Sequence, residues 1–362
     1  MQVSLIIAHC YGAEISGWII HASWGVSDGS EQFVLLSGLV LGSVFTRKRF
    51  SGYGAATRDL WLRAARLWRT HLAVFVGLGL LVLLADRLLA TGEAAPLGWE
   101  HLAEAPLLAL LGGAVMLHQP MHMGILPVFI TGMLLLPGFL WLADRAGAWA
   151  LVLPWGVWLL VQMTGLRLPD WGGTSAFFNL LAWQALFLTG AWLGRVALLG
   201  GPAVPRTPWL LAPALGLLGF GVWVRLWEQG WVPGPDGGFW LWPDRAELLF
   251  FLFEKTDLPA LRVLHALALA YTVACLVPRD LALFRSRFGR AMAIVGRHSL
   301  PVFCAGLFST YLAGLAIRAA GGAAWVELAA VPAAVGFAWA QAMWMERRRT
   351  HGVAVTRQAP AG

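Results

Sequence analysis

In the stretch HQPMHMGILPVFITGMLLLP, His118, Gln119 and His122 gather directly before a run without a charged residue. Imidazole titrates near neutrality, so a histidine so placed either moves protons or bonds a neighbouring carbonyl. Comparable polar groups punctuate the rest of the chain. His9 follows the apolar run VSLIIA, and Asp28 and Glu31 flank the entry to FVLLSGLVLG. His71 follows Arg66 and Arg69; Asn179, Trp183 and Gln184 decorate FFNLLAWQALF. The four-residue spacing puts Asn179 and Trp183 on one helix face. Lys255, Asp257, Arg262 and His265 line the start of EKTDLPALRVLHALALAY, and Arg297 with His298 opens GRHSLPVFCAGLFSTYLA. Ionisable groups beside apolar spans are costly in lipid, so together these point to a shared polar cavity.

The elements that must hold these groups follow from composition. Of 362 residues, 59% are hydrophobic and 12% charged, against roughly a quarter charged in a soluble domain. That surplus of apolar surface must face lipid, and the 21 tryptophans suit the headgroup boundary. The expectation is an all-α polytopic membrane bundle. Full spans are expected near 28–46, 67–89, 123–143, 147–165, 176–198, 208–227, 258–277, 294–317 and 324–345. Val3–Ala8 makes an incomplete first span, giving about ten in all. Ala105–Leu117 is short and glycine-interrupted, and reads as a re-entrant or interfacial helix. Residues 1–346 are expected to form one domain, and 347–362 a basic, disordered cytoplasmic tail.

The net charge of +7 sits in short loops, which fits orientation by the positive-inside rule rather than a nucleic-acid partner. Arg47, Lys48, Arg49, Arg58, Arg63, Arg66 and Arg69 form one cluster, and Arg279, Arg285, Arg287, Arg290 and Arg297 a second. Arg347, Arg348 and Arg349 form a third. A re-entrant 105–117 puts all three in the cytoplasm, with both termini. The segments His9–Ser27, Thr91–Glu104, Arg167–Thr174 and Trp227–Asp257 then face outward. Cys10, Cys275 and Cys304 are scattered, with neither disulfide nor metal-ligand spacing. No Walker loop, GxGxxG, HExxH or CxxC occurs, and no carboxylate pair suited to glycoside hydrolysis is recognisable. No metal and no permanently bound cofactor is expected.

Several stretches resemble the OpgC family of membrane succinyl- or acyltransferases. They are GVSDGSEQFVLLSGLVLG (25–42), RAARLWRTHLAVFVG (63–77), QPMHMGILPVFITGMLLLP (119–137), FFNLLAWQALFLTGAWLGR (177–195), FEKTDLPALRVLHALALAY (253–271) and GRHSLPVFCAGLFSTYLA (296–313). The resemblance implies transfer of an acyl, specifically succinyl, group from cytoplasmic acyl-CoA (succinyl-CoA) to a periplasmic glucan or related glycan. It implies a bacterial inner-membrane location and membrane lipid as a partner. His9 matches the histidine near the end of the family's first helix and is the catalytic candidate. Asp28, Glu31, His118, His122, Asn179, Trp183, Gln184, Lys255, Asp257 and His265 are candidates for the glycan. Arg66, Arg69, His71, Arg297 and His298 are candidates for the CoA donor.

The chain departs from the family pattern in three places. Met1 opens inside the first helix, where the family carries an RLDxxRG-type segment, so roughly ten to twenty preceding residues are expected, since a short remnant cannot cross the hydrocarbon. Ala8 stands where an aspartate usually precedes the histidine, and Gly124 stands at a second family aspartate. The alternatives to an acyltransferase are an inactive scaffold or glycan-handling subunit, and a secondary transporter.

Overall fold

The computed structural model describes residues 2–169, 178–201, 204–234, 247, 252–278 and 280–358, with side chains as far as Arg349. Arg279, residues 170–174 of one expected outer loop and most of the tryptophan-rich Trp227–Asp257 stretch lie outside the described residues. Among the described residues all regular structure is helical, as the composition demands. The stretches long and apolar enough to cross a membrane are Gly29–Ser51, Tyr53–Leu89, Ile125–Thr164, Leu180–Leu198, Pro208–Glu228, Ser299–Ala319 and Ala324–Arg349, with a shorter apolar helix at Ala260–Leu276. The 40-residue Ile125–Thr164 stretch would be about 60 Å long as one rod, twice the hydrocarbon thickness. It divides at Gly147, whose φ of 59° no helix interior accepts. The expected spans therefore all find helices. The first helix, α1 (Gln2–Ala8), has seven residues, about 10 Å.

The chain forms two compact units, residues 26–270 and residues 1–25 with 271–362. In the first, α2 (Gly29–Lys48) begins on a capping box: Asp28 Oδ1 accepts the Ser30 N–H at 2.7 Å and Glu31 Oε2 accepts the Asp28 N–H at 2.9 Å. The helix α3 (Tyr53–Leu89) is 37 residues long, where the sequence suggested a start near 67. Its buried stripe Ala56, Leu60, Ala64, Leu67, His71, Val74, Leu78, Val82 keeps helical period throughout, so its amphipathic first half continues the apolar second half. After α3 come α4 (Glu100–Glu104) and α5 (Pro106–Ala114). Gly79 lies against Trp99 and Leu102, while Trp68 Nε1 donates to the Ala114 carbonyl at 2.7 Å. The chain thus descends along α3, and the Met121 N–H bond to Leu97 O at 3.0 Å brings it back to its entry level. This is the re-entrant element expected at 105–117.

The tightest packing joins α2 to α8 (Leu180–Leu198), with α6 (Ile125–Ala146) and α7 (Val152–Thr164) also against α8. Gly38 and Gly42 of α2 meet Phe187 and Ala191, and Gly190 and Gly194 of α8 meet Leu35 and Leu39. The register rises together on both helices, so they run parallel. At these glycines backbone meets backbone, and a Cβ added at Gly42 would lie 2.6 Å from Ala191 Cα. Helix α9 (Pro208–Glu228) and most of α10 (Ala260–Leu276) complete this unit.

In the second unit, α13 (Ser299–Ala319) turns over Gly321 and Gly322, both at positive φ, into α14 (Ala324–Gln358). Ile6, Ile7, Cys10, Ile20, Val302, Ile317 and Ala338 share one core. Two short helices, α11 (Ala282–Arg285) and α12 (Arg287–Arg297), precede α13. The expected span at 294–317 therefore begins later, at Ser299. Helix α14 runs on to Gln358. Each residue added to an existing helix gains a hydrogen bond without a new nucleation cost.

Candidate functional site

The polar residues of the larger unit converge where α2, α8 and α10 begin. Arg262, on the first turn of α10, donates from Nε to Glu31 Oε1 at 2.6 Å, from Nη2 to Asp28 Oδ2 at 3.1 Å and from Nη1 to the Phe253 carbonyl at 3.1 Å. Asp28 Oδ2 also accepts Lys255 Nζ at 3.0 Å. Glu31 is fully buried and Arg262 is 2% exposed. Two carboxylates thus face two cations, which is the condition under which such groups survive burial. Next to Asp28, the Ser27 hydroxyl lies 2.7 Å from His265 Nδ1. One turn into α2, Gln32 Nε2 donates to the Ala266 carbonyl at 2.8 Å.

A second polar group continues from Lys255. Asn179 caps α8 by accepting the Leu181 N–H at 3.1 Å, and its Nδ2 donates to Asp257 Oδ1 and to the Leu166 carbonyl, both at 2.8 Å. Its backbone N–H bonds the Thr256 carbonyl at 2.8 Å. Arg167 grips Asp257 with a 2.6 Å Nη2–Oδ2 bond, and that bond holds the guanidinium pKa above its ordinary value. Trp183, wholly buried, donates Nε1 to the carbonyls of Lys255 and Thr256 at 3.2 and 3.1 Å. Its ring meets Phe178 edge-on at 4.6 Å. Arg167, Phe178 and Asn179 also line a crevice with Met116 and Gln119.

Of the residues expected to meet glycan, Asp28, Glu31, Asn179, Trp183, Lys255, Asp257 and His265 belong to this convergence. Gln184 does not, since it donates to Val128 O at 3.1 Å and ties α8 to α6. One residue beyond Trp183 it points about 100° around the helix. His118 is buried, ring-to-ring with Phe75 and His101. His122 sits at φ 76°, in the left-handed region non-glycine residues seldom occupy. Gly124, at the second family aspartate, is filled by its neighbours: a Cβ there would be 2.9 Å from both Gln119 Oε1 and Phe178 Cδ2. Sequence reading did not single out Ser27 or Arg167, and named Arg262 only as a polar residue of its span.

Among the donor candidates of this unit, Arg66 and Arg69 are exposed on α3, with Arg66 Nε bonded to Leu62 O. His71 is wholly buried and its Nε2 meets the Gly113 carbonyl at 3.1 Å.

In the smaller unit, His9 is half-buried just past α1, with Nδ1 2.5 Å from the Leu5 carbonyl. A carbonyl only accepts, so Nδ1 is the donor in this bond. The backbone thereby sets the tautomer that an aspartate at position 8 would set, without its negative charge. Cys10 beside it is buried, and burial, with the Glu327 charge adding, pushes its thiol up to about 11. The chain after His9 is latched by Glu327, which accepts the Glu14 N–H at 3.0 Å and the Ser16 N–H at 2.5 Å. Arg297 and His298 share one carboxylate, Glu346, at 3.0 and 2.7 Å. Among the described residues no cluster of three or more His, Cys, Asp or Glu is disposed to hold a metal.

A protein-family model described as OpgC protein matches residues 1–350. No curated protein matches the chain, and no solved structure does. With nearly its whole length covered, the chain belongs to the OpgC family, as a polytopic helical membrane protein.

Proposed function

We propose that this OpgC-family chain is a membrane acyltransferase that moves an acyl group, succinyl by the family resemblance, from cytoplasmic acyl-CoA to a periplasmic glucan or related glycan. Its setting would be the bacterial inner membrane, with both termini cytoplasmic. The observation that carries the reading is the graded polar array at the starts of α2, α8 and α10. Glu31 and Arg262 are sealed inside, whereas the side chains of Lys255, Asp257 and Arg167 are about a quarter, a fifth and nearly half exposed. Planar amide, carboxylate and guanidinium groups beside Phe178 and Trp183 suit a ligand made of hydroxyls on apolar ring faces. The sealed pairs would hold the exposed ones in place.

The chemistry asked of His9 is that of a general base. As the glycan hydroxyl oxygen attacks the thioester carbonyl carbon, Nε2 takes the hydroxyl proton. The C–S bond then breaks, the ester forms, and the proton passes to the departing thiolate, giving free CoA. The alternative thiol carrier, Cys10, is a poor one: a thiol raised to about 11 supplies almost no thiolate at neutral pH. Exposed Arg66 and Arg69 would meet the donor's phosphates, whereas Arg297 and His298 already share the Glu346 carboxylate.

A second reading has its own support. Ala8 and the packed Gly124 leave the chain without two family carboxylates, which favours a glycan-handling scaffold that performs no transfer. Mass spectrometry of periplasmic glucans from strains carrying the gene, its His9→Ala form and a deletion separates the two. Acyl substituents confined to the first strain support transfer with His9 essential. Identical glucans in all three remove the acyltransferase reading.

A further inference from the structure

Between α10 and α13 the stretch 281–298 carries charge of one sign. From Leu281 to His298 the chain contains Arg285, Arg287, Arg290 and Arg297 and no acidic residue; Asp280 immediately precedes it. Ser286 caps α12 by accepting the Gly289 N–H at 3.0 Å. At the other end Arg297 and His298 bind Glu346 of α14, so the helix cannot turn about its axis. Val295 is buried and Ile294 packs against the core of this unit. Away from that contact the surface is both apolar and basic. Leu283 and Phe284 are 50% exposed and Phe288 is 61% exposed. The Arg285, Arg287 and Arg290 side chains are exposed too, and among the described residues none has a carboxylate partner.

Large bare apolar side chains interleaved with unneutralised arginines are stable in one setting, the boundary between acyl chains and anionic headgroups. Position agrees, because α13 begins two residues after α12 ends, and the 11 residues of α12 reach only about 16 Å from that boundary. We infer that α11 and α12 form an in-plane anchor that binds anionic phospholipid, with Phe284 and Phe288 in the acyl layer and Arg285, Arg287 and Arg290 on the phosphates. The inference is independent of the proposed acyl transfer.

Photo-cross-linking tests it. A benzophenone amino acid replaces Phe288 in the full chain, reconstituted in nanodiscs of equal phosphatidylglycerol and phosphatidylcholine, and adducts are identified by mass spectrometry. The expected adducts are lipid, strongly biased to phosphatidylglycerol. In the R285Q/R287Q/R290Q background the bias should collapse toward the mixing ratio, a loss on the order of a hundredfold at roughly five-fold per arginine. If the triple variant does not fold, R287Q alone should lower the bias about five-fold. Three results overturn the inference: adducts at the mixing ratio in the parent chain, an unchanged bias in the variants, or cross-linking in cells to an acidic protein in place of lipid. Inorganic phosphate at millimolar concentration should leave the bias unchanged, since a site for free phosphate would lose it.

Discussion

Replacing Arg262 by methionine isolates the most deeply buried ion pair among the described residues. The substitution keeps the volume and removes three hydrogen bonds: 2.6 Å to Glu31, 3.1 Å to Asp28 and 3.1 Å to the Phe253 carbonyl. Asp28 retains Lys255 at 3.0 Å, but Glu31, with no exposed surface, loses its only cation within salt-bridge distance among the described residues. Breaking one side of a buried pair costs about 3–5 kcal/mol, nearly all of it the stranded charge. Removing that charge as well, in Glu31→Gln with Arg262→Met, should restore most of the loss. Equilibrium unfolding in mixed micelles, followed by tryptophan emission, measures the single and double variants as one thermodynamic cycle. A single-variant cost under about 1 kcal/mol, or a double variant no better than the sum of its parts, would refute the burial argument.

Alanine at Gly42 or Gly190 should cost about 1–3 kcal/mol in the same assay, because the α2–α8 backbones must separate, whereas Gly156→Ala, in open space, should cost little. Trp183→Phe should cost about 1 kcal/mol by losing the indole bonds to Lys255 and Thr256, and acceptor use should weaken as that loop loosens. Maleimide labelling at pH 8, read by intact mass, should reach half-buried Cys275 first. A thiol raised to about 11 is ionised to roughly one part in a thousand at that pH, so Cys10 should resist, and its labelling should rise as pH climbs toward 11.

Much of the architecture was legible because lipid imposes a simple rule: a long uncharged run must be a helix. The places where sequence and structure part are those where that rule is silent. The first half of α3 was missed because it is amphipathic, yet Ala56, Leu60 and Ala64 continue the stripe of its apolar half. In α12, Arg287 and Arg290 hid a helix inside what looked like a basic loop. Asn179 and Trp183 both bond the 255–257 turn, Asn179 from the cap position ahead of the helix, while Gln184, grouped with them by proximity, is turned away by a single residue of helical rotation. Glu31 and Arg262 were each noticed, but a bond across 231 residues leaves no trace in local spacing. The glycine seam was readable in principle, since Gly38/Gly42 and Gly190/Gly194 both repeat at four, but nothing local says the two repeats meet in parallel.

That parallel pairing has an electrical consequence. Neighbouring antiparallel helices cancel one another's peptide dipoles, but α2 and α8 point the same way at the closest approach backbones allow. Their amino ends, each about half a positive elementary charge, lie side by side, and so do their negative carboxyl ends. The fold must offset this self-repulsion, and its charges are distributed accordingly. At the amino ends Asp28 and Glu31 accept the first N–H groups of α2 and Asn179 caps α8, while Arg49 and Arg195, joined through Asp144, stand at the carboxyl ends. The capping groups that shape this polar end, Asp28 and Glu31 on α2 and Asn179 on α8, thus also satisfy the aligned helix termini where the two helices touch.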